Sequence, residues 1–476
     1  MITNRTVFGA GLAAATLVFA APALSGDTPP WSEHAIREPV EQATLAGQLS
    51  KADLEALVEK GREFFEARFT TLDGAGRPHA TQAIIPTAHR RPVEHDFQRL
   101  AGPDANACAS CHNEPVTGGA GGFVSNVFVS EGFESADFDT LDPQFSNERG
   151  TNHLFGAGLV ELLAREMSAD LKAERTKALK SARQSGEPTR AVLETKGISF
   201  GFLTALPDGS VDFSGLEGVD ADLVIRPFTQ KGVMTSLRQF TVNALNQHHG
   251  IQPDERWGAR WTATDDFDRD GKGKEFSEGS VSAMVAFQAA LPAPLEADPG
   301  DEAWRQAAAR GRAVFTDLGC ASCHRPHLPL ESLAFSDPGP LDTAGTLRLG
   351  DVETAAIYDL SLLDWAKSLP RDEDGRVLVP LFGDLKRHRI ADQRQSALGN
   401  ETLAQRFVER DVFMTAELWG LADTAPYGHR GDMTTLDEVI RAHGGEAFEA
   451  AKAYGALTED DRSALIAWLK TLRIEQ

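Results

Sequence analysis

The sequence predicts a mainly α-helical protein built from two modules, with short β-hairpins and long loops between the helices. The main observation is a repeated motif, because Cys108-Ala-Ser-Cys111-His112 recurs as Cys320-Ala-Ser-Cys323-His324. A glycine-led apolar segment precedes each copy, Gly61–Phe65 in the first case and Gly311–Phe315 in the second. Both segments are predicted helices, and the motifs lie far enough apart for one module around each.

A C-terminal helix is predicted after Thr458, a favoured N-cap residue followed by three acidic residues and then by apolar residues at helical spacing. Such a helix would pack against the one that precedes the second motif. Other predicted elements are a solvent-projecting charged helix over 159–192 that is broken near Gly186 and Pro188, helices over 231–249 and 279–290, and a hairpin over 200–213. A proline-rich segment at 291–300 marks a boundary. We expect an N-terminal module over 26–295 and a C-terminal module over 296–476.

Cys-x-x-Cys-His is the attachment signature of covalently bound c-type haem. The two thiols form thioethers with the haem vinyl groups, and the histidine of each motif, His112 or His324, can bind the iron. The chain has no other cysteine. Two disulfides or one shared zinc site are alternatives. Neither requires a histidine after each cysteine pair, so we expect two covalently bound haem c groups.

The N-terminus, residues 1–25, has the pattern of a signal peptide. Arg5 precedes an apolar run from Val7 to Ala21, and small residues follow that run. A membrane anchor is the alternative, but the run is shorter than the ~20 residues that span a bilayer. We expect a periplasmic protein with no membrane span after signal cleavage, in keeping with haem attachment outside the bacterial inner membrane.

The chain has 476 residues, and its formal net charge is −23. Nucleic-acid binding requires a basic surface, so this charge excludes it as an expected function. The charge suits a basic or neutral redox partner, such as an electron-donor cytochrome or cupredoxin, because complementary charge speeds encounter. Solubility alone is the other interpretation of the same charge.

Further segments accompany the two motifs in a fixed order. They are Leu154–Glu161, Arg226–Gly250, Asp266–Gly271, Phe382–His388, Leu418–Gly431 with its Pro-Tyr-x-His-x-Gly element, and His443–Glu446. With them the chain resembles the bacterial di-haem cytochrome c peroxidase superfamily, and within it the di-haem oxidoreductase branch often labelled peroxidase or thiol oxidoreductase. The resemblance implies a mainly α fold of two cytochrome c-like haem domains. The thiol oxidoreductase label has no support in the sequence, because haem attachment uses every cysteine.

The resemblance also indicates the second iron ligand of the C-terminal haem. In the classical peroxidases a methionine downstream of the Pro-Tyr-x-His-x-Gly element binds this iron. Counted from His429, the corresponding residue here is His443, while Met433 lies too close to the element. We therefore expect His324 and His443 to be the two ligands, with a lower reduction potential than methionine would give. The alternative is that His443 only caps its helix.

The N-terminal haem shows the opposite pattern. The next histidine after His112 is His153, and a glycine-rich segment over 121–128 lies between them. We expect an open or water-ligated iron there. Glu161 is the first candidate to move a proton during peroxide cleavage, and His153 is the second. A solvent-facing glutamate is the alternative for Glu161.

Several other polar residues are weaker candidates. Lys231 and Arg238 could stabilise a developing oxyanion, although ion pairing is the simpler expectation for both. His388 could contact a haem propionate. His248 and His249 are adjacent, so a helix would direct at most one of them to a given site.

Asp266-Phe-Asp268-Arg-Asp270-Gly271 reproduces the first half of an EF-hand loop. Lys272 would supply a backbone carbonyl at the seventh position. The twelfth position is Ser277 and not the usual glutamate, so an acidic turn without metal is the alternative to a calcium site.

Together these features predict a periplasmic di-haem c-type oxidoreductase of the peroxidase type. Hydrogen peroxide or another small oxidant would react at an open N-terminal haem, and a bis-histidine C-terminal haem would relay electrons. Two alternatives remain: a di-haem oxidase or oxygenase acting on a protein or organic substrate, and a pure electron-transfer cytochrome.

Overall fold

The computed structural model describes residues 31–76, 78–81, 87–88, 90, 106–126, 148–343, 345–401 and 407–474. The predicted signal peptide lies outside these residues. The described residues from His34 onward belong to one compact unit. The module boundary at 295/296 therefore stays a prediction. In the described part of the chain, no helix is long and apolar enough to cross a membrane.

The α-helices are α1 (Lys51–Glu66), α2 (Ala157–Ser185), α3 (Leu237–His249), α4 (Asp254–Trp257), α5 (Ala259–Thr262), α6 (Glu278–Ala290), α7 (Glu302–Asp317), α8 (Leu436–Ala442), α9 (Phe448–Gly455) and α10 (Glu459–Leu469). The strands are β1 (Gly47–Gln48), β2 (Ala80–Thr81), β3 (Thr87–Ala88), β4 (Gly121–Asn126), β5 (Glu148–Thr151), β6 (Thr189–Thr195), β7 (Ile198–Ala205), β8 (Val211–Asp212), β9 (Leu295–Glu296), β10 (Leu328–Leu330), β11 (Ala334–Asp337), β12 (Ala356–Asp359), β13 (Val377–Val379), β14 (Arg387–Arg389), β15 (Val412–Met414) and β16 (Leu472–Arg473).

Two helix pairs support the two cysteine motifs. Helix α1 packs against α6, and α7 packs against α10. Both crossings are close at a glycine, because a Cβ atom on Gly61 or on Gly311 would lie 1.9 Å from the carbonyl oxygen of Ala283 or Ala464, respectively. The pairing of α7 with the C-terminal helix is as predicted, and the hydroxyl of Thr458 caps α10.

Helix α2 corrects one expectation. It begins and ends near the predicted positions, with Gly186 in the left-handed conformation at its C-cap. Its first half, however, is buried from Ala157 to Ala164 and again at Met167 and Leu171, and it belongs to the main hydrophobic core. The helix therefore does not project into solvent along its length, because its apolar N-terminal half packs on α3 and α6.

Short sheets account for most of the remaining regular structure. The predicted hairpin is present as β7 and β8, and β6 extends it to an antiparallel three-stranded sheet. Another three-stranded sheet has the order β1-β12-β11, and it joins residues near the N-terminus to residues well beyond the second motif. Only the hairpin was predicted from the sequence. Most of the other strands in these sheets are two to four residues long, which is too short for a recognisable strand pattern.

The hydrophobic core has two parts. The larger cluster surrounds α2, α3 and α6, and the smaller one contains Phe315, Tyr454 and Trp468 between α7 and α10. Trp468 is fully buried, with its ring centroid 4.7 Å from that of Phe315. Each helix pair thus places its motif at the edge of a packed core.

Candidate functional site

One cavity of about 1270 Å³ is lined by the histidines of both motifs, His112 and His324, and by His443 and His153. Its wall is largely apolar, with aromatic side chains contributed by both halves of the chain, as is usual for a cofactor site.

The three predicted iron ligands are held in the same way. Nδ1 of His112 lies 3.3 Å from the carbonyl oxygen of Gly119, Nδ1 of His324 lies 3.2 Å from that of Phe382, and Nδ1 of His443 lies 2.7 Å from that of Val439. A carbonyl only accepts hydrogen bonds, so Nδ1 carries the proton in each ring. Nε2 is then the basic nitrogen, as in a metal-binding histidine oriented by its carbonyl partner.

The electrostatic environment keeps these imidazoles neutral. Burial, together with the neighbouring His443, lowers the pKa of His324 to about 4. Burial also lowers the pKa of His112 and that of His443. A neutral imidazole is the form that binds a metal. The residues therefore fit two haem groups. His443 lies near His324 and also caps α8, so its role as the second ligand of the C-terminal iron stays a prediction.

The cysteines also fit covalent haem attachment. Each motif forms a short 3₁₀ turn, Cys108–Ser110 or Cys320–Ser322, that places both of its thiols and its histidine within one turn of the chain. No disulfide joins any two of these four cysteines, all of which lie among the described residues. Within the described residues, no group of metal-binding side chains includes cysteines of both motifs, which gives the shared zinc site no support.

The glycine-rich segment after the first motif lies behind His112. Gly119 accepts the Nδ1 hydrogen bond, and a Cβ atom on Gly121 would lie 1.9 Å from the carbonyl oxygen of Cys111. Gly121, at the start of this segment, therefore packs closely against the first motif. Residues 127–128 of the predicted stretch lie outside the described residues.

His153 lies in this cavity near His112. Its Nε2 atom is 3.0 Å from the carbonyl oxygen of Trp419, and so Nε2 carries the proton. Its Nδ1 atom is buried and has no hydrogen-bonding partner among the described residues. Burial lowers the pKa of His153 to about 4, with a smaller contribution from nearby His112. The ring is thus a neutral base with one free lone pair.

Glu161 is placed differently from the expectation. One carboxylate oxygen accepts hydrogen bonds from Arg165, and the other accepts one from the backbone N–H of Leu237 at the start of α3. The residue is buried, and it is not among the residues that line the cavity. Its position does not support a catalytic role, since both oxygens are engaged in joining α2 to α3.

Lys231 and Arg238 also have other partners. The Lys231 ammonium donates to the carbonyl oxygens of Glu409, Arg410 and Val412. Arg238 is fully buried and pairs with Asp337 and Glu255. Both cations stabilise buried structure, so neither is placed to meet an oxyanion in the cavity.

His388 lies between two carboxylates. Nε2 is 2.9 Å from Asp384, and Nδ1 is 2.7 Å from Glu446. The bond to Asp384, together with Cys323 nearby, outweighs burial and raises the pKa of His388 to about 11. His388 also lines the cavity, and its contact with a haem propionate stays a prediction.

Of the two adjacent histidines at the end of α3, only one lines the cavity, as expected for neighbours on a helix. His248 lines the cavity, whereas Nε2 of His249 lies 3.7 Å from Sγ of Cys108. Asn243 and Gln247, on the same helix, also line the cavity. Neither amide was predicted to line a site, although their spacing of four residues places them on one face of α3.

Two matching segments pass beside the two motif histidines. The backbone carbonyl of Asn152 lies near the His112 ring, and that of Ala416 lies near the His324 ring. A Leu-aromatic-Gly sequence follows in each case, with the glycine in the left-handed conformation. His153 and Glu417 therefore occupy equivalent positions. Glu417 lines the cavity, and burial raises its pKa to about 7. This internal similarity was the signal that could have identified Glu417.

The predicted calcium loop is closely folded. One carboxylate oxygen from each of Asp266, Asp268 and Asp270 lies within 4.8 Å of the other two. Gly271 has a φ of 87°, a conformation that glycine adopts easily. Ser277 caps α6 with its hydroxyl, so the twelfth position does not contribute a ligand.

Comparisons with known proteins return distant structural similarity only. No protein-family model matches the chain, and no curated protein matches it significantly. Hydrazine synthase from Kuenenia stuttgartiensis, in a structure determined under xenon pressure, is 14% identical, with a TM-score of 0.37 over 99% of this chain and 100% of that chain. A MauG-like protein associated with microbial copper homeostasis is 17% identical, with a TM-score of 0.28 over 56% of this chain and 77% of that chain. At these values neither similarity assigns a fold or a function.

Proposed function

We propose that this protein is a periplasmic di-haem c-type oxidoreductase that reduces hydrogen peroxide at its N-terminal haem, with a bis-histidine C-terminal haem as the electron relay. The observation that carries the proposal is one cavity that both motif histidines line, with a different second histidine near each of them. His324 has His443 beside it, whereas His112 has beside it a neutral histidine, His153, with a free buried nitrogen.

The residues that would hold the two groups follow from the geometry. Cys108 and Cys111 of the first motif would attach one haem, and Cys320 and Cys323 of the second motif would attach the other. When bound, the haem groups supply one-electron redox chemistry and, at His112, an iron position open to a small oxidant. The apolar wall of the cavity limits water around both.

His153 performs the proton movement. Its Nδ1 atom accepts a proton from one peroxide oxygen and returns it to the other, so that water can leave. The Trp419 carbonyl holds Nε2–H throughout, which keeps the lone pair on Nδ1. The low pKa of His153 means that the ring is unprotonated, and thus able to accept, at neutral pH.

The overall reaction consumes two electrons and two protons for each hydrogen peroxide and forms two water molecules. The electrons come from an external donor, which we propose to be a small cytochrome or cupredoxin with a basic or neutral docking surface. The net charge of −23 supports that choice, because opposite charge raises association rates.

Stopped-flow mixing of the haem-loaded protein with peroxide tests the proposal, with wild type, His153→Gln and a control His34→Gln compared at neutral pH. His34 is well exposed and pairs with Asp73, so its replacement leaves the cavity intact. Loss of the base should slow the peroxide reaction by about 10²–10⁴-fold in His153→Gln only. Equal rates in all three proteins would contradict the role of His153, and a wild type inert to peroxide would contradict the function.

A second candidate is oxidation of a protein or organic substrate. Trp419 favours it, because this oxidisable indole lines the cavity and its backbone holds His153. The two functions differ in what consumes the oxidising equivalents. Peroxide turnover sustained by a reduced cytochrome supports the peroxidase, and turnover sustained only by an organic substrate supports the alternative.

A further inference from the structure

A groove lies outside the cavity, between the second half of α2 and the hairpin of β7 and β8. Its volume is about 610 Å³, and it is open to solvent. Half-buried apolar side chains form the floor of the groove: Leu179, Val211 and Phe213. Cationic side chains form its basic rim: Arg175, Lys180 and Arg183. None of them lines the cavity between the two cysteine motifs, so the groove is a separate surface.

The positive charge of the basic rim is not neutralised within the protein. In the part of the chain that the structure describes, none of the three rim cations forms an ion pair. The two acidic residues of the facing hairpin have other partners. Asp208 accepts hydrogen bonds from the backbone N–H and the hydroxyl of Ser210, and Asp212 accepts one from the backbone N–H of Ser214. The rim cations are therefore available to an anion from outside.

Arg183 extends across the groove. A Cβ atom on Gly209, in the hairpin turn, would lie 2.8 Å from Nη2 of Arg183, so the guanidinium reaches from the helix to the turn. Of the three rim cations, only Arg183 lies in the last turn of α2, where a cation stabilises the helix dipole. The dipole of the helix thus does not explain the positions of Arg175 and Lys180.

The charge of this surface is opposite to that of the whole protein. The chain has a net charge of −23, yet residues 172–184 contain only one acidic residue, Glu174, and five cations: Lys172, Arg175, Lys177, Lys180 and Arg183. An extended anionic surface, such as a membrane, would also meet the acidic remainder of the protein and be repelled by it. A short acidic segment would meet only the groove, because charges more than about 8 Å away are largely screened at physiological ionic strength. The charge pattern therefore favours a short segment.

We propose that the groove binds an acidic segment of a partner protein. Carboxylates of the segment pair with the basic rim, in which the two arginines can each form two parallel hydrogen bonds to one carboxylate. One large apolar side chain of the segment packs on the apolar floor and so removes that floor from water.

This partner is distinct from the electron donor proposed above. The donor would carry a basic or neutral docking surface, whereas the groove requires an acidic one. Arg175 is the rim residue nearest to the cavity, and along α2 it lies roughly 22 Å from Val160 in the cavity wall. An occupant of the groove would therefore not contact the cavity, and the inference does not depend on the peroxide reaction.

Calorimetric titration of the haem-loaded protein tests the proposal, with a synthetic peptide of glutamate residues around a central phenylalanine as the probe. The wild type should bind this peptide at a single site. Affinity should fall when the ionic strength is raised from about 0.01 M to about 0.15 M, because the Debye length shortens from ~30 Å to ~8 Å. A peptide with lysine in place of each glutamate should not bind, and one with serine in place of the phenylalanine should bind more weakly.

Charge reversal of the rim should weaken the binding of the glutamate peptide. We expect a loss of about tenfold or more in Lys180→Glu/Arg183→Glu, because two attractive contacts become repulsive. Lys367→Glu/Lys452→Glu is the matched control, since it changes the net charge equally and both lysines are well exposed outside the groove. Circular dichroism establishes that each variant is folded. If the double rim variant is not, Arg175→Glu replaces it, with Lys367→Glu as its control.

Absence of peptide binding in the wild type, equal affinity for the lysine peptide, or equal affinities in the rim variant and its control would overturn the site. Unchanged affinity for the serine peptide would overturn the role of the apolar floor. Vesicles of phosphatidylglycerol separate a protein partner from a membrane, and we expect the wild type not to bind them. Vesicle binding that is lost in the rim variant would overturn the assignment to a protein segment.

Discussion

Nε2 of His153 donates a hydrogen bond of 3.0 Å to the backbone carbonyl of Trp419. The bond joins the segment beside the first motif to the segment beside the second. It also determines which nitrogen of His153 carries the proton, and so leaves Nδ1 as the basic atom. The same contact region brings the Trp419 ring against the backbone of Gly156. The contact between His153 and Trp419 thus sets the proton position of the proposed base and also joins the N-terminal site to the C-terminal half of the chain.

The pH dependence of the peroxide reaction should report His153. Burial lowers its pKa to about 4, compared with about 6.5 for an exposed histidine. The neutral base is therefore fully available at neutral pH and is lost as the pH falls through about 4. The second-order rate constant, measured by stopped flow, should be flat from about pH 8 to pH 5 and fall below that range. A fall centred near pH 6.5 would indicate a different, exposed group.

Replacing His443 by methionine should raise the reduction potential of one haem. A thioether stabilises ferrous iron relative to an imidazole, and axial-ligand changes shift potentials by on the order of 100 mV. Spectroelectrochemistry of His443→Met should show the shift in one of two transitions. Met433→Leu is the control, because Met433 is the nearest methionine and is not a proposed ligand. A potential unchanged in His443→Met would remove His443 from the ligand set.

Replacing the cysteines of one motif should remove one haem and leave the other in place. A double replacement of Cys108 and Cys111 by serine should leave one covalent haem, and the same change at Cys320 and Cys323 should leave the other. The pyridine haemochrome of either variant should fall to about half of the wild-type value per chain. Retention of both groups in either variant would contradict the attachment sites.

Gly156→Ala should destabilise the protein by about 1–3 kcal/mol. Gly156 has a φ of 79°, and a Cβ atom there would lie 2.4 Å from the ring of Trp419. Gly186→Ala is a matched control, because Gly186 has a similar φ of 72° with no atom near its Cβ position. Denaturant unfolding should show the larger loss in Gly156→Ala. Equal losses would mean that the Trp419 contact contributes nothing beyond backbone strain.

Local sequence signals predicted the elements that depend on local physics. The N-cap at Thr458 and the turn between β7 and β8 follow from cap chemistry and turn propensity. The expectation that His443 is the second ligand of the C-terminal iron came from the family resemblance and stays a prediction, and His443 does lie near His324.

Features that depend on distant partners were not predictable in this way. The sequence suggested that Glu161 moves a proton at the N-terminal haem. In the fold, however, its two carboxylate oxygens accept hydrogen bonds from Arg165 and from the backbone N–H of Leu237. The burial of the first half of α2 was not predicted, because the many charged residues in its second half made the whole helix look exposed. Trp419 and Glu417 have no local signal of cavity lining, and only the similarity between the two segments reveals them.

The central claim is that the two iron sites are unequal, one saturated by His324 and His443 and one open at His112. Electron paramagnetic resonance of the ferric, haem-loaded protein tests it most directly, recorded at rest and after addition of cyanide. The account predicts one low-spin signal that cyanide leaves unchanged and one high-spin signal that cyanide converts to low spin. Two low-spin signals at rest, both unaffected by cyanide, would contradict the account and identify a pure electron-transfer cytochrome.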